Sequence, residues 1–275
     1  MPGSLANALV LLTRPKGRNE PLMQRLASKG LESLVLPVLD IVPVPAALNP
    51  PPVPGGYDLV VFVSGNAVNC YFRQLNQAGA MPAAWPEHTR VAAVGAATAK
   101  AVLDTGFVPA ECILAPHEAE SQDSESLWKY LQALTAAMSR ALIVRGQEGR
   151  EWLGLRLEQA GVEVIRHISY ERRTLEWPAS IVRHLRGGLD SGRPVICLLT
   201  SAHGVTAFID NAARHDLLPA CLGFHYVVIH PRIAARLQSS LESSSASGKV
   251  GDLAVTICPP GEDAIVQAVF SLASR

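Results

Sequence analysis

The segment ALIVRGQEGREWLGLRLEQAGVEVIRHISYERR, residues 141–173, decides the fold. Its apolar run at 141–144 is short enough for a buried strand, and a polar turn follows at 145–149. A helix then begins near Arg150 with one broad apolar face, and Gly161 is a typical helix stop. A second apolar strand follows this glycine. The segment therefore predicts a strand–helix–strand unit.

The same unit occurs at the start of the chain. One ungapped shift of 131 positions, from Arg14 to Arg145, aligns polar, apolar and glycine residues together. The other aligned pairs are Glu20 with Glu151, Leu22 with Leu153, Leu26 with Leu157, Gly30 with Gly161, and Glu32 with Glu163.

The repeat continues beyond this first unit. LVVFVSGNAV at 59–68 matches ICLLTSAHGV at 196–205, which places Ser64 over Ser201, 137 positions apart. VAAVGAATA at 91–99 matches YVVIHPRIA at 226–234 more weakly. Loop insertions would produce the small drift in the shift, so we interpret the chain as a duplicated α/β module.

Composition limits the class of protein. A length of 275 residues favours about two domains, and 48% apolar with 17% charged residues suits a substantial buried core. Lys and Arg number 24, as do Asp and Glu, so no overall charge favours nucleic acid or an anionic membrane as a partner. The apolar runs fall short of the roughly 18–20 residues of a membrane helix, and the N-terminus resembles a first strand rather than a signal peptide.

Cysteine and histidine spacing predicts neither a disulfide framework nor a metal site. The five cysteines form no CxxC pair, which favours buried, reduced thiols in a cytoplasmic protein over a redox or metal role. The eight histidines show no ligand spacing, and no dinucleotide or phosphate-loop motif occurs. We therefore expect no metal and no cofactor.

Apolar strands that alternate with helices predict parallel sheets covered by helices on both faces. Ligands of such sheets bind beyond the carboxyl ends of the strands, and two modules facing each other would line one cleft with their polar turns. These turns fall at 13–17, 64–66, 95–98, 145–149 and 200–203. We also predict a strand over 31–39, a proline-rich linker or loop at 49–54, an N-cap at Ser124 and a mobile serine-rich segment at 239–248.

Small and hydroxyl residues at these turns suit the binding of carboxylates or phosphates through backbone amides, although their spacing alone favours plain helix capping. They are Ser64, Gly65, Asn66, Ala67, Gly95, Ala96, Thr98, Thr200, Ser201 and Ala202. Arg14, Arg145, Gly146 and Arg150 also follow strand ends, where ordinary surface charge is the alternative for the arginines. Tyr170 ends a strand, and its alternative role is packing.

Several motifs together resemble the uroporphyrinogen-III synthase family over roughly residues 9–260. They are Thr13-Arg14-Pro15, FVSGNAV at 62–68, AVGAATAKAV at 93–102, LIVRGQEGREWL at 142–153 running on to Tyr170-Glu171-Arg172, and the helix start SESL at 124–127. Each motif is weak alone, whereas their order and spacing are specific. One departure is IHPR at 229–232, where the family has a glycine-led turn, which puts amide binding there in doubt.

The resemblance implies a cytoplasmic, cofactor-independent lyase that closes hydroxymethylbilane, a linear tetrapyrrole with eight carboxylates, with loss of water and inversion of ring D. It implies two similar flavodoxin-like domains, joined by a two-stranded connector, with the active site in the cleft between them. On the family pattern, domain 1 is 1–38 plus 172–275 and domain 2 is 39–171. Tyr170 becomes the catalytic candidate, the turn residues above and Ser124 become substrate-binding candidates, and a monomer is expected.

Two alternatives stay open at this stage. One is a two-domain module that binds a small anion, and the other is a phosphosugar or nucleotide transferase that uses the same helix N-termini.

Overall fold

The computed structural model of the protein describes residues 7–45, 51–117, 120–244 and 250–274. The chain forms two compact units: one contains the residues up to Asp40 together with those from Arg173 onward, and the other is Ile41–Arg172. The domain boundaries expected from the family pattern stay a prediction.

Strands and helices alternate along most of the chain. The strands are β1 Leu9–Leu12, β2 Ser33–Val35, β3 Leu39–Pro43, β4 Leu59–Phe62, β5 Arg90–Ala93, β6 Ile113–Leu114, β7 Arg140–Gly146, β8 Glu163–Thr174, β9 Val195–Leu199, β10 His225–Val228 and β11 Ala254–Ile257. The helices are α1 Glu20–Ala27, α2 Gly65–Gln77, α3 Ala96–Leu103, α4 Ser124–Leu131, α5 Trp152–Gln159, α6 Ala179–Asp190, α7 Ala202–Arg214, α8 Leu218–Cys221, α9 Pro231–Ser244 and α10 Glu262–Ala273. Short 3₁₀ helices lie at Pro54–Gly56, Ala110–Cys112 and Thr135–Ala137.

The two units contain sheets of the same design. The first sheet has the order β2-β1-β9-β10-β11, and the second has β8-β7-β4-β5-β6 with β3 added beside β8. The strand pairs from β2 to β11 and from β8 to β6 are all parallel. The predicted parallel α/β class is therefore confirmed. Strand β7 holds the place of β1, and β4 that of β9, as the sequence repeat predicts.

Each sheet is covered on both faces, which explains why its strands are apolar at successive positions. In β1, Leu9 and Leu11 pack into one hydrophobic cluster, whereas Val10 and Leu12 pack into the cluster on the opposite face. All four side chains are fully buried. The period of two along a strand thus divides one apolar run between two cores.

Matched helices of the two units end in the same way. Leu22 in α1 and Leu153 in α5 are buried at equivalent positions. Gly30 and Gly161 follow with φ angles of +77° and +87°, the left-handed conformation that favours glycine. The glycines that the repeat aligned are therefore the residues that turn the chain from helix to strand.

The predicted strand over 31–39 is wrong as a single element. Strand β2 ends at Val35, and Leu39 begins β3, which lies in the other sheet. Pro37 lies in the gap, and because proline has no amide hydrogen it cannot donate to a sheet ladder. The break lets the chain pass from one unit to the other.

The serine-rich segment is also different from the prediction. Helix α9 continues to Ser244 because Leu237 and Leu241, one turn apart, are both buried. Residues 239–244 are therefore helical, their predicted mobility stays a prediction, and 245–248 lie outside the described residues. In the predicted linker, residues 49 and 50 are also outside them, and Pro54 begins a 3₁₀ turn. The short helix α8 was not predicted.

Three further features concern function classes. No helix in the described ranges is long and apolar enough to cross a membrane. Over the same ranges, no three His, Cys, Asp or Glu side chains gather into a group that could hold a metal ion. All five cysteines are free, and four of them are buried while Cys112 is half-buried.

Candidate functional site

Ser64 and Ser201 start their helices with the same hydrogen bond. The Ser64 hydroxyl oxygen, after β4, accepts from the Ala67 amide at 3.2 Å, and that of Ser201, after β9, accepts from the Gly204 amide at 3.0 Å. Both serines are therefore N-caps, the role that the sequence left open beside ligand binding. Each remains half-buried at the carboxyl edge of its sheet.

The residues around the two caps differ in exposure. Gly65 and Asn66 are half-buried at the start of α2, whereas Ala67 is fully buried. In the other unit, Thr200 is half-buried and Ala202 is exposed. The partly accessible members of the predicted set thus lie in the first turn of each helix or just before it.

Tyr170 lies at the centre of the candidate site in the second unit. Its side chain is fully buried, and its hydroxyl oxygen lies 3.2 Å from Oγ of Ser64. Nη2 of Arg172 donates to the same oxygen at 2.9 Å, and that guanidinium lies 5.3 Å from the centre of the tyrosine ring. The ring packs against Gly146, where an added Cβ would lie 2.8 Å from Cζ.

The sheet explains why these residues meet. Strands β8, β7 and β4 are neighbours, and they deliver Tyr170, Gly146 and Ser64 to the same edge. An irregularity in the β7–β8 register after Arg145 pairs Gly146 with Tyr170. The boundary between β7 and β4 is also where the strand order of this fold reverses, and open α/β sheets bind ligands there.

The structure pairs Arg145 with a carboxylate of its own turn. Its guanidinium is mostly buried and forms an ion pair with Glu151, and its Nε donates to the Gly146 carbonyl at 3.2 Å. Burial and the nearby Arg166 lower the pKa of Arg145. Since Glu151 also binds Arg166, at 2.7 Å, this network fixes the turn after β7.

The other two predicted arginines are paired as well. Nη1 of Arg14 lies 3.1 Å from Oε1 of Glu262, and Nη1 of Arg150 donates to Oε2 of Glu125 at 3.0 Å. The hydrogen bond from Arg150 lowers the pKa of Glu125. As the protein stands, none of the three predicted arginines presents an unmatched charge to a ligand.

The turn after β5 is occupied by a side chain of the protein itself. Oε1 of Gln122 accepts from the Ala96 amide at 2.6 Å, and its Nε2 donates to the carbonyls of His117 and Glu120. A Cβ at Gly95 would lie 2.8 Å from Oε1 of Gln122, so this glycine makes room for it. Sequence reasoning missed Gln122 because nothing local links it to a turn 26 residues earlier.

Two further candidates have structural positions. Thr98 is buried, and its amide donates to the Gly95 carbonyl at 2.9 Å. The N-cap of α4 is Asp123 rather than Ser124, because Oδ1 of Asp123 accepts from the Ser126 amide at 2.9 Å. The prediction of Ser124 as the cap is therefore wrong by one residue, since both residue types cap helices well.

Arg172 is a second residue that sequence reasoning missed as part of the site. It lies two positions after Tyr170 on β8, and side chains two apart on a strand share a face. That spacing was the available signal.

The turn at 229–232, which departs from the family pattern, is capped by a side chain. Nδ1 of His230 accepts from the Arg232 amide at 3.0 Å.

A comparison with known families gives the assignment. The family model described as uroporphyrinogen-III synthase HemD matches residues 20–243. The chain belongs to the uroporphyrinogen-III synthase family. This membership favours the synthase interpretation over the anion-binding module and the transferase.

Members of the uroporphyrinogen-III synthase family resemble the chain in sequence and in fold. It is 32% identical over 171 residues to the uroporphyrinogen-III synthase of Escherichia coli K12, and 33% identical over 167 residues to that of Salmonella typhimurium LT2. These alignments cover 61% and 59% of the chain, and 66% and 64% of the relatives, slightly less than two thirds of their length.

Two solved structures share the fold. The synthetase of Helicobacter pylori 26695 has a TM-score of 0.55 at 17% identity, over 97% of this chain and 99% of that one. A mutant synthase of the extremely thermophilic bacterium Thermus thermophilus has a TM-score of 0.52 at 17% identity, over 85% of this chain and 89% of that one.

Proposed function

We propose that the chain is a uroporphyrinogen-III synthase, which converts linear hydroxymethylbilane into uroporphyrinogen III with loss of water and inversion of ring D. The observation that carries the proposal is the meeting of Tyr170, Ser64 and Gly146 at the point of the sheet where strand order reverses. These residues belong to the motifs on which the family resemblance rests.

Loss of the hydroxyl group from hydroxymethylbilane requires little acid catalysis. The carbon–oxygen bond of the hydroxymethyl group breaks, the oxygen leaves with a proton as water, and the pyrrole nitrogen stabilises the cation that remains. The substituted carbon of ring D then attacks this cation to give a spiro intermediate. The original bond from this carbon towards ring C breaks, which leaves a second cation next to ring C. The unsubstituted carbon of ring D attacks that cation and loses its proton, which balances the proton taken up by the water, and ring D is then reversed. The principal work of the protein is to fold the substrate so that these carbons meet.

Tyr170 is proposed to donate a hydrogen bond to the departing hydroxyl. Ser64 supports this role because its hydroxyl lies 3.2 Å from that of Tyr170 and also caps α2. Amide groups in the first turns of α2 and α7 are proposed to bind substrate carboxylates, because helix N-termini favour anions. The proposal further includes a monomeric cytoplasmic enzyme that works without metal or organic cofactor.

The test is the isomer that the protein forms. Purified protein receives freshly made hydroxymethylbilane, and the products are oxidised and separated by chromatography. We expect mainly the inverted isomer, and the same amount after dialysis against a chelator. A reaction without protein measures the spontaneous, non-inverted product. If that isomer alone forms with protein present, the proposed function is wrong.

A further inference from the structure

The guanidinium of Arg172 is exceptional among the arginines near Tyr170. Its Nη2 donates to the tyrosine oxygen at 2.9 Å, and its Nη1 donates to the carbonyl of Glu148 at 3.3 Å. Among the described residues it forms no ion pair with a carboxylate, and its side chain is half-buried. It therefore carries a positive charge that its protein neighbours do not neutralise.

The neighbouring arginines are neutralised. Arg145 pairs with Glu151, Arg150 pairs with Glu125, and Arg166 pairs with both Glu151 and Glu158. Among these four described arginines, the one whose charge is available to an anion is thus Arg172, and not Arg145 or Arg150, which the sequence analysis proposed. A guanidinium also matches a carboxylate with two parallel hydrogen bonds, which a lysine cannot do.

Arg172 also covers Tyr170. The tyrosine is fully buried, and within the described part of the chain its hydroxyl hydrogen-bonds with the side chains of Ser64 and Arg172. A carboxylate is a stronger partner for a guanidinium than a neutral phenol, because it carries the opposite charge and accepts two parallel hydrogen bonds from the guanidinium. An incoming carboxylate can therefore draw Arg172 away from the tyrosine.

We infer that Arg172 binds a carboxylate of the substrate and, by moving to it, exposes the Tyr170 hydroxyl to the reacting part of the same molecule. The inference rests on the proposed function for the identity of the substrate, a polycarboxylate. It makes Arg172 a binding residue that couples occupancy of the site to access to the tyrosine.

Steady-state kinetics with hydroxymethylbilane separate this role from others. Loss of a charge-assisted contact in Arg172→Ala should raise KM about 10–100-fold, while kcat changes less than about 3-fold. Arg172→Lys should raise KM by an intermediate factor, because lysine keeps the positive charge but cannot donate two parallel hydrogen bonds to one carboxylate. The matched control is Arg156→Ala, since Arg156 also lies over an aromatic ring, that of Trp152 at 5.4 Å. It should leave both constants unchanged.

A binding measurement keeps the inference independent of turnover. The probe is uroporphyrin I, an octacarboxylate, which is titrated into the protein while the tryptophan fluorescence is measured. Circular dichroism first shows that each variant is folded. We expect a Kd about 10-fold or more higher in Arg172→Ala than in the wild type, and a weaker salt dependence because one ionic contact is lost.

The outcomes distinguish the two proposals. If the wild type forms no inverted product but probe binding still depends on Arg172, the proposed function fails and the carboxylate contact stands. An unchanged KM together with an unchanged probe Kd would overturn the inference. A lower kcat at constant KM and constant probe Kd would also overturn it, because Arg172 would then only hold Tyr170 in place.

Discussion

The ring of Tyr170 lies so close to the backbone of Gly146 that no side chain fits between them. A Cβ built on Gly146 would be 2.8 Å from Cζ and 2.9 Å from Cε2 of the ring, well inside van der Waals contact. The two residues are partners across β7 and β8. Glycine at this position is thus what allows the tyrosine hydroxyl to reach Ser64.

Replacing this glycine should displace the tyrosine. We expect Gly146→Ala to lower the free energy of unfolding by about 1–3 kcal/mol, the usual cost of overpacking a filled core, and to lower kcat together with it. Urea unfolding and the isomer assay measure the two effects. The control is Gly187→Ala in α6, where no atom lies within 4 Å of the new Cβ. It should be neutral or stabilising by up to about 1 kcal/mol. A Gly146→Ala variant as stable and active as the wild type would contradict the contact.

The hydroxyl of Tyr170 should matter for turnover more than for substrate binding. One hydrogen bond made mainly in the transition state corresponds to roughly 10–1000-fold in kcat, or about 1.4–4 kcal/mol. Because the cation forms readily, we expect Tyr170→Phe to lie near the low end, with KM little changed. The measurement is steady-state kinetics that counts only the inverted isomer. If the kcat of this variant equals that of the wild type, the Tyr170 hydroxyl does not assist catalysis and the residue only packs in the core.

The matched caps give a comparison within one chain. Ser64→Ala and Ser201→Ala each remove the acceptor of a first-turn amide, so each should lower the unfolding free energy by about 0.5–2 kcal/mol. Ser64→Ala should have the larger effect because it also loses the contact with Tyr170. It should raise KM as well, since the cap orders the first-turn amides of α2, which are proposed to bind a substrate carboxylate throughout the reaction. Denaturant titrations test the stability effects, and a neutral Ser201→Ala would contradict the shared capping role.

The fold could be predicted from the sequence wherever a local residue pattern is sufficient to determine a strand, a helix or a turn. The apolar run of β1 divides between two cores, and the aligned glycines at 30 and 161 have the backbone that only glycine adopts easily. The same logic failed at Pro37, because a break in hydrogen bonding is invisible to hydrophobicity. The prediction from local patterns also failed near Leu241. The serines there suggest a loop, but the burial of Leu241 stabilises a longer helix.

The site was predictable to the level of strand ends but not of side-chain partners. The predicted strand ends placed Ser64, Gly146 and Tyr170 near one another, and the structure brings their atoms into contact. The predicted end of the strand at Tyr170 is nevertheless wrong, because β8 continues to Thr174. The position of Arg14 after a strand could not show that it is neutralised by Glu262, because that partner lies 248 residues away and is brought close only by tertiary folding. Binding roles depend on which charges remain unmatched, and that is a property of the folded chain.

His167 links three elements of the second unit. Its side chain is buried on β8, and its Nε2 lies 2.8 Å from Oε1 of Gln74 on α2. Nε2 of Gln74 in turn donates to the carbonyl of Val44, just after β3, at 2.9 Å. Burial lowers the pKa of His167 from an ordinary 6.5 to about 4, so this imidazole is neutral at physiological pH.

This burial should make the stability of the protein depend on pH. The unfolded chain protonates this histidine near pH 6.5 and the folded chain only near pH 4, so its contribution is complete above pH 6.5 and is lost as the pH falls toward 4. Linkage gives a loss of about 2 kcal/mol by pH 5 and about 3.4 kcal/mol below pH 4. His167→Gln cannot titrate. It should be less stable than the wild type at pH 7.5, and the difference should shrink by about 2 kcal/mol at pH 5. Urea unfolding of both proteins at the two pH values tests this, and an equal difference at both would show that His167 is not the titrating group.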